Sequence, residues 1–97
     1  MPKYVSLINW TDKGIHDYTD SVARNAEGQA LAKRLGGAIT DSYWTVGEYD
    51  LVVVAEFPDD EAATAFLLAV GSETNVRTKT MRAFDASEFS DIVGKLN

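Results

Sequence analysis

Gly47-Glu48-Tyr49-Asp50 and the run that follows it, Leu51-Val52-Val53-Val54-Ala55-Glu56-Phe57, decide how this chain folds. The glycine can take a positive φ, so the first four residues read as a short hairpin connection. The next seven read as a strand of unusual character. Strands with one wet face alternate apolar with polar side chains. Here Leu51, Val53, Ala55 and Phe57 point one way, and Val52 and Val54 point the other. A strand apolar on both sides belongs in the middle of a sheet, and both sides have to be covered.

Upstream, Ala38 to Val46 is a second, more polar strand whose mixed character suits a sheet edge. Tyr4 to Trp10 is rich in aromatic and β-branched residues and reads as the first strand. Its side chains divide into Tyr4, Ser6, Ile8 and Trp10 on one side and Val5, Leu7 and Asn9 on the other, again with large apolar groups on both. Between these strands, Ile15, Tyr18, Val22, Ala26, Ala30, Leu31 and Leu35 fall on one stripe of a single helix from Ile15 to Leu35. Thr11-Asp12 offers an N-cap, Gly14 a sharp turn into the helix, and Gly36-Gly37 a left-handed stop. Gly28 weakens the middle of that helix by ~1 kcal/mol relative to alanine.

Downstream, Pro58 ends the central strand and Asp59 or Asp60 caps a second helix, with Glu61 in its first turn. Ala62, Ala63, Phe66, Leu67 and Val70 form its inward stripe, and Gly71 is the expected stop. Val76 to Phe84 is a fourth strand. Phe89, Ile92, Val93 and Leu96 then recur at helical spacing, which predicts a short C-terminal helix laid back on the body.

The order strand–helix–strand–strand–helix–strand is the ferredoxin-like arrangement, an α+β fold with a four-stranded antiparallel sheet and two helices on one face. Strands one and three then sit in the centre. Two helices cover only one face, and leaving four large apolar side chains exposed on the other forgoes ~1.5–3 kcal/mol each. That sum rivals the whole stability of a small domain, ~5–15 kcal/mol. A second copy of the same sheet is the simplest cover. A two-fold, sheet-to-sheet homodimer is expected.

Composition narrows the function. Fifteen acids against nine Lys plus Arg give a net charge of −6, which argues against nucleic acid or an anionic membrane as the main partner. No cysteine is present, so thiolate chemistry and disulfides are excluded and a reducing compartment fits. Met1-Pro2-Lys3 leads directly into strand-like sequence without an apolar signal core, and a soluble cytoplasmic protein is the expectation. Ninety-seven residues make one domain.

Gly47-Glu48-Tyr49-Asp50 resembles the G-x-Y-D signature of the GYD-domain family of small bacterial proteins. Thr11 to Ile15, Arg24, Leu35-Gly36-Gly37, Tyr43-Trp44, Pro58-Asp59-Asp60, Val76-Arg77-Thr78 and Thr80 to Phe84 support the resemblance along nearly the whole chain. It implies the dimeric α/β-barrel superfamily, whose dimers often associate further, but no particular reaction. His16 and Lys79 stand where an arginine and a glutamate are expected in that family.

Six residues are candidates for a ligand pocket: Asn9, Trp10, Tyr43, Trp44, Tyr49 and Asp50. Tyr49 and Asp50 are placed to line the mouth of a cavity between sheet and helices, where phenol and carboxylate could orient a substrate proton. The competing reading gives Asp50 to the backbone amides of its own turn and Tyr49 to the neighbouring strand. Asn9, Trp10, Tyr43 and Trp44 are large or polar groups near strand ends, suited equally to a cavity, a core or an interface. Arg77 and Lys79, with Arg82 on the opposite side, could bind an anion or simply guard an edge strand by charge. His16 is a lone histidine without a placed partner, and neither a metal site nor a bound cofactor is expected. The function expected from these residues is a small oligomeric module binding an organic ligand in each subunit. Alternatives are a cofactor-independent monooxygenase or isomerase acting on small aromatic or quinone-like compounds, and a haem-binding barrel using His16.

Overall fold

A computed structural model describes all 97 residues. The elements are β1 (Lys3–Trp10), α1 (Asp12–His16), a 3-10 turn (Tyr18–Asp20), α2 (Ser21–Arg34), β2 (Ala38–Trp44), β3 (Leu51–Glu56), α3 (Asp60–Ser72), β4 (Val76–Ala83) and α4 (Ala86–Gly94). The four strands form one antiparallel sheet in the order β2-β3-β1-β4, so the two doubly apolar strands are central, as expected. The fold is ferredoxin-like.

Register shows what each face carries. On the helix side, Ala55 lies beside Tyr4, Val53 beside Ser6 and Leu51 beside Ile8, and all six are buried. On the other side two rows cross the sheet. One runs Asp41, Val54, Val5, Met81 and the next Tyr43, Val52, Leu7, Lys79. No helix covers these rows. Met81 stays 50% and Tyr43 60% exposed. A bulge at Thr40, between the Ile39–Ala55 and Asp41–Val54 pairs, turns Ile39 towards the helices while Asp41 and Tyr43 face away.

The core is densest at one end of the sheet–helix layer. Phe57 is 2% exposed, meets Tyr4 edge-on at 6.0 Å and lies 5.2 Å from Phe66, with Ala32, Ala55 and Ala63 filling between the rings. The Tyr4 hydroxyl donates to the Asp60 carboxylate, and burial followed by that bond raises its pKa. Asp59 caps α3 by accepting from the Ala62 amide at 2.8 Å. Gly36 takes φ +84° and stops α2. Gly37 is needed for another reason: a Cβ there would stand 2.2 Å from the Glu56 carbonyl oxygen.

Three local expectations are corrected. The single helix from Ile15 to Leu35 is broken, because α1 is pinned to the α3–β4 turn. Thr11 N–H donates to the Asn75 carbonyl at 3.0 Å and the Thr11 hydroxyl to the Thr74 carbonyl at 2.6 Å. A Cβ on Gly14 would reach within 1.9 Å of the Asn75 oxygen, so the glycine permits close approach there. After the break the inward stripe is Ser21, Asn25, Gly28, Leu31, Ala32 and Leu35, whereas Ile15, Tyr18 and Val22 face out. Second, α3 runs through Gly71 and stops before Thr74, which takes φ +64°. Third, α4 does not pack back. Phe89 is 57% and Leu96 87% exposed, and the helix is held by charge: Lys3 Nζ reaches Glu88 at 3.1 Å and Asp85 at 3.4 Å. A reciprocal capping box between Asp85 and Glu88 starts it.

Candidate functional site

Away from the packed end, the layer between the sheet and the α2–α3 pair opens into a cavity of about 390 Å³. Its floor is Ile8, Leu51 and Val53, with Ser6 among them. Its roof comes from Ser21, Arg24, Asn25 and Gly28 on α2 and from Phe66, Leu67 and Val70 on α3. Asn75, Val76 and Thr78 close one side. The cavity exists because α2 turns small and polar residues inward where an amphipathic helix would bring leucines. Its size lies at the lower end of ligand-binding pockets, and its make-up, apolar walls with a few polar groups, is theirs too.

The polar groups are held in distinct ways. Ser6 Oγ shares a 2.8 Å hydrogen bond with Thr80 Oγ1. The Trp44 indole N–H donates to Ser21 Oγ at 2.8 Å, and Ser42 Oγ donates to Asn25 Oδ1 at 3.2 Å, so β2 fixes the start of α2 through side chains. Arg24 Nη1 donates to the Asp17 carbonyl at 3.2 Å, joining the Asp20 amide that donates to the same oxygen at 3.0 Å where α1 ends. Its Nη2 is enclosed and has no partner within the protein.

Of the six residues singled out from sequence, Trp10 lines this cavity and the other five do not. Trp44 acts one step away through Ser21. Asn9 and Asp50 fasten the Gly47–Asp50 loop to the end of β1. Asn9 Nδ2 donates to the Glu48 carbonyl at 2.8 Å, and the Trp10 and Asp50 amides donate to the Asp50 carboxylate and the Ile8 carbonyl, both at 2.9 Å. The Asp50 carboxylate therefore serves the backbone of the neighbouring strand, while within the hairpin it is the Asp50 backbone carbonyl that accepts, from the Thr45 amide at 2.9 Å. Tyr49 lies under Lys79, whose Nζ is 5.8 Å from the ring centroid, and Tyr43 is on the uncovered sheet face. Arg77 and Lys79 share that face, while Arg82 is on the helix side over Tyr4, 5.6 Å from its ring. The His16 side chain is 86% exposed beside Asp17 and distant in role from the cavity.

Ser6, Ser21, Arg24, Asn25, Asn75 and Thr78 were missed as site residues in the sequence. A usable signal was present: a serine among the apolar residues of a central strand, and a polar stripe at helical spacing on α2.

Known proteins agree with this architecture. The chain is 28% identical over 97 residues to a glutamine synthetase and cystathionine beta-lyase binding protein of Thermus thermophilus, covering 99% of each. Its fold is similar to that of a crystallised Thermus thermophilus protein, at TM-score 0.57 and 24% identity over 89% of this chain and 96% of that one. It is also similar to a feast or famine regulatory protein from M. tuberculosis complexed with L-methionine, at TM-score 0.62 and 16% identity, covering 89% of this chain and 52% of that one. No helix is long and apolar enough to cross a membrane. The GYD domain profile matches residues 4–93, a span reaching into all four strands and containing the cavity and the fastened Gly-Glu-Tyr-Asp loop, and the chain belongs to the GYD-domain family.

Proposed function

We propose that this protein is a self-associating module that binds a small organic ligand in the cavity of each subunit. The cavity carries this reading: about 390 Å³ of space with an apolar floor, bordered by hydrogen-bonding groups, in a domain whose other core end is filled. Self-association is supported by the uncovered rows around Val5, Leu7, Val52 and Val54, which two helices cannot reach. Trp10 is the one aromatic candidate that would touch the ligand. A thermal-shift screen of phenols, quinones and small acids tests the binding role, with Val53→Phe as a variant that fills the floor. Stabilisation of the native protein and its loss in Val53→Phe is the expected result. A screen in which no compound raises the melting temperature, or in which Val53→Phe responds equally, counts against it.

A second reading, a protein-binding adaptor, is favoured by α4, whose Phe89, Ile92, Val93 and Leu96 lie exposed on a helix held only by charge. The Thermus relative is named as a binding protein for two enzymes. Co-sedimentation with glutamine synthetase, compared between the full chain and a chain ending at Asp85, separates the readings. Binding that requires α4 supports the adaptor, and no co-sedimentation opposes it.

A further inference from the structure

We propose that two copies of this chain are set in register by ion pairs across the uncovered sheet face, Asp41 of each copy meeting Lys79, flanked by Arg77, of the other. The pairing rests on the self-association proposed above and adds which way round the two copies lie.

The strands carry five charged side chains on that face: Lys3, Glu56, Asp41, Arg77 and Lys79. Lys3 and Glu56 pair with each other on neighbouring strands at 3.7 Å. The other three are exposed and have no ion-pair partner within the chain. Asp41 accepts only from the Tyr43 hydroxyl, at 3.5 Å. Asp41 stands on the β2 edge and Arg77 and Lys79 on the β4 edge, three strand spacings or roughly 14 Å away. They are too far apart to meet within one chain. Between the edges lie the half-buried Val5, Leu7, Val52 and Val54. An apolar centre with a charged rim is the anatomy of a protein interface.

Net charge makes this face the one suited to a second copy. The whole chain carries −6, so two copies repel at long range. On the far side of the sheet, three cations stand against two acids, and the repulsion is absent there.

Sheets stacked face to face with aligned strands keep them within about 30° of each other. Identical copies then have two choices of two-fold axis. An axis across the strands sets β2 on β2 and β4 on β4, so the Asp41 edge faces its own copy, as does the Arg77–Lys79 edge. Like charges set together disfavour that arrangement. An axis along the strands sets β2 of one copy on β4 of the other. It brings Asp41 to the partner's Lys79 at both rims and lays Val52 and Val54 over the partner's Leu7 and Val5. Stacked sheets lie ~10 Å apart, a gap that a lysine and an aspartate side chain span together.

Sedimentation equilibrium of the native protein, Asp41→Lys, Lys79→Glu and the chain carrying both reversals tests the pairing. Each single reversal sets like charges together at both rims and is expected to raise the dimer dissociation constant roughly tenfold. The double reversal rebuilds both pairs with their signs exchanged. It is expected to return to within about threefold of the native protein. Added salt narrows the gap between the single variants and the native protein. If a reversal loses its native circular dichroism, the neutral Asp41→Asn and Lys79→Met take its place. A rise in their dissociation constants supports the pairing, and no rise overturns it. Single reversals that associate like the native protein, or a double variant no tighter than the single ones, overturn the pairing and leave self-association standing. A native protein that stays monomeric overturns both.

Discussion

The central strands β1 and β3 carry apolar side chains on both faces, yet the two faces have different fates. On the helix side Tyr4, Phe57 and Phe66 interlock at one end, while Ile8, Leu51 and Val53 border open space at the other. On the opposite side Val5, Leu7, Val52 and Val54 shield one another in two rows and nothing lies above them. The same strand chemistry thus yields a sealed core, a cavity and an uncovered patch. What differs is the partner layer: α3 supplies Ala63 and Phe66, α2 supplies Ser21, Asn25 and Gly28, and the far face receives no element of its own chain.

The comparison breaks hardest at the sealed end. Phe57→Ala removes the ring that joins Tyr4 to Phe66 and is expected to cost about 3–5 kcal/mol in urea unfolding. On the far face, Leu7→Asp is expected to leave the fold largely intact but to weaken association by roughly 3 kcal/mol, since the carboxylate, even beside Lys79, would have to be stripped of water between the sheets. Sedimentation of the variant across a dilution series measures this. Gly37→Ala, with its new Cβ against the Glu56 carbonyl, is expected to destabilise by about 1–3 kcal/mol. Gly28→Ala works in the opposite direction. Its Cβ would meet Ile39 Cδ1 at 3.7 Å, an ordinary contact, so the helix gains about 0.4–1 kcal/mol while the cavity shrinks and ligand affinity falls.

The smallest effect concerns α4 and pH. The Glu88 and Asp85 carboxyls are held below their ordinary values, first by each other's backbone N–H and then by Lys3. Their folded pKa values being lower than unfolded ones, the stabilisation is complete above about pH 5 and is lost as pH falls through the unfolded and then the lowered values. Cα chemical shifts of residues 86–94 are expected to lose helical character in that acid range, ahead of those of α3.

Much of the fold was legible from the double apolarity of Leu51 to Phe57 and from the order of elements, because both depend on local period. The caps at Thr11 and Asp59 and the Gly36 stop followed from short-range chemistry in the same way. What failed to read was tertiary. The break after His16 depends on the Asn75 carbonyl, some sixty positions away, and the inward face of α2 was set by that break rather than by its apolar residues. Tyr49 and Asp50 drew attention as chemistry-bearing groups, yet the Asp50 carboxylate accepts from the Trp10 amide across the strand pair, a bond the sequence does not announce. Arg24 stood out only as a residue shared with a family. Its unpaired nitrogen is a property of packing.

Sedimentation equilibrium of the native protein at low micromolar concentration tests the uncovered face most directly. A species of at least two 10.6 kDa chains that falls to one chain in Leu7→Asp is predicted. A native protein that sediments as a single 10.6 kDa chain throughout would contradict it.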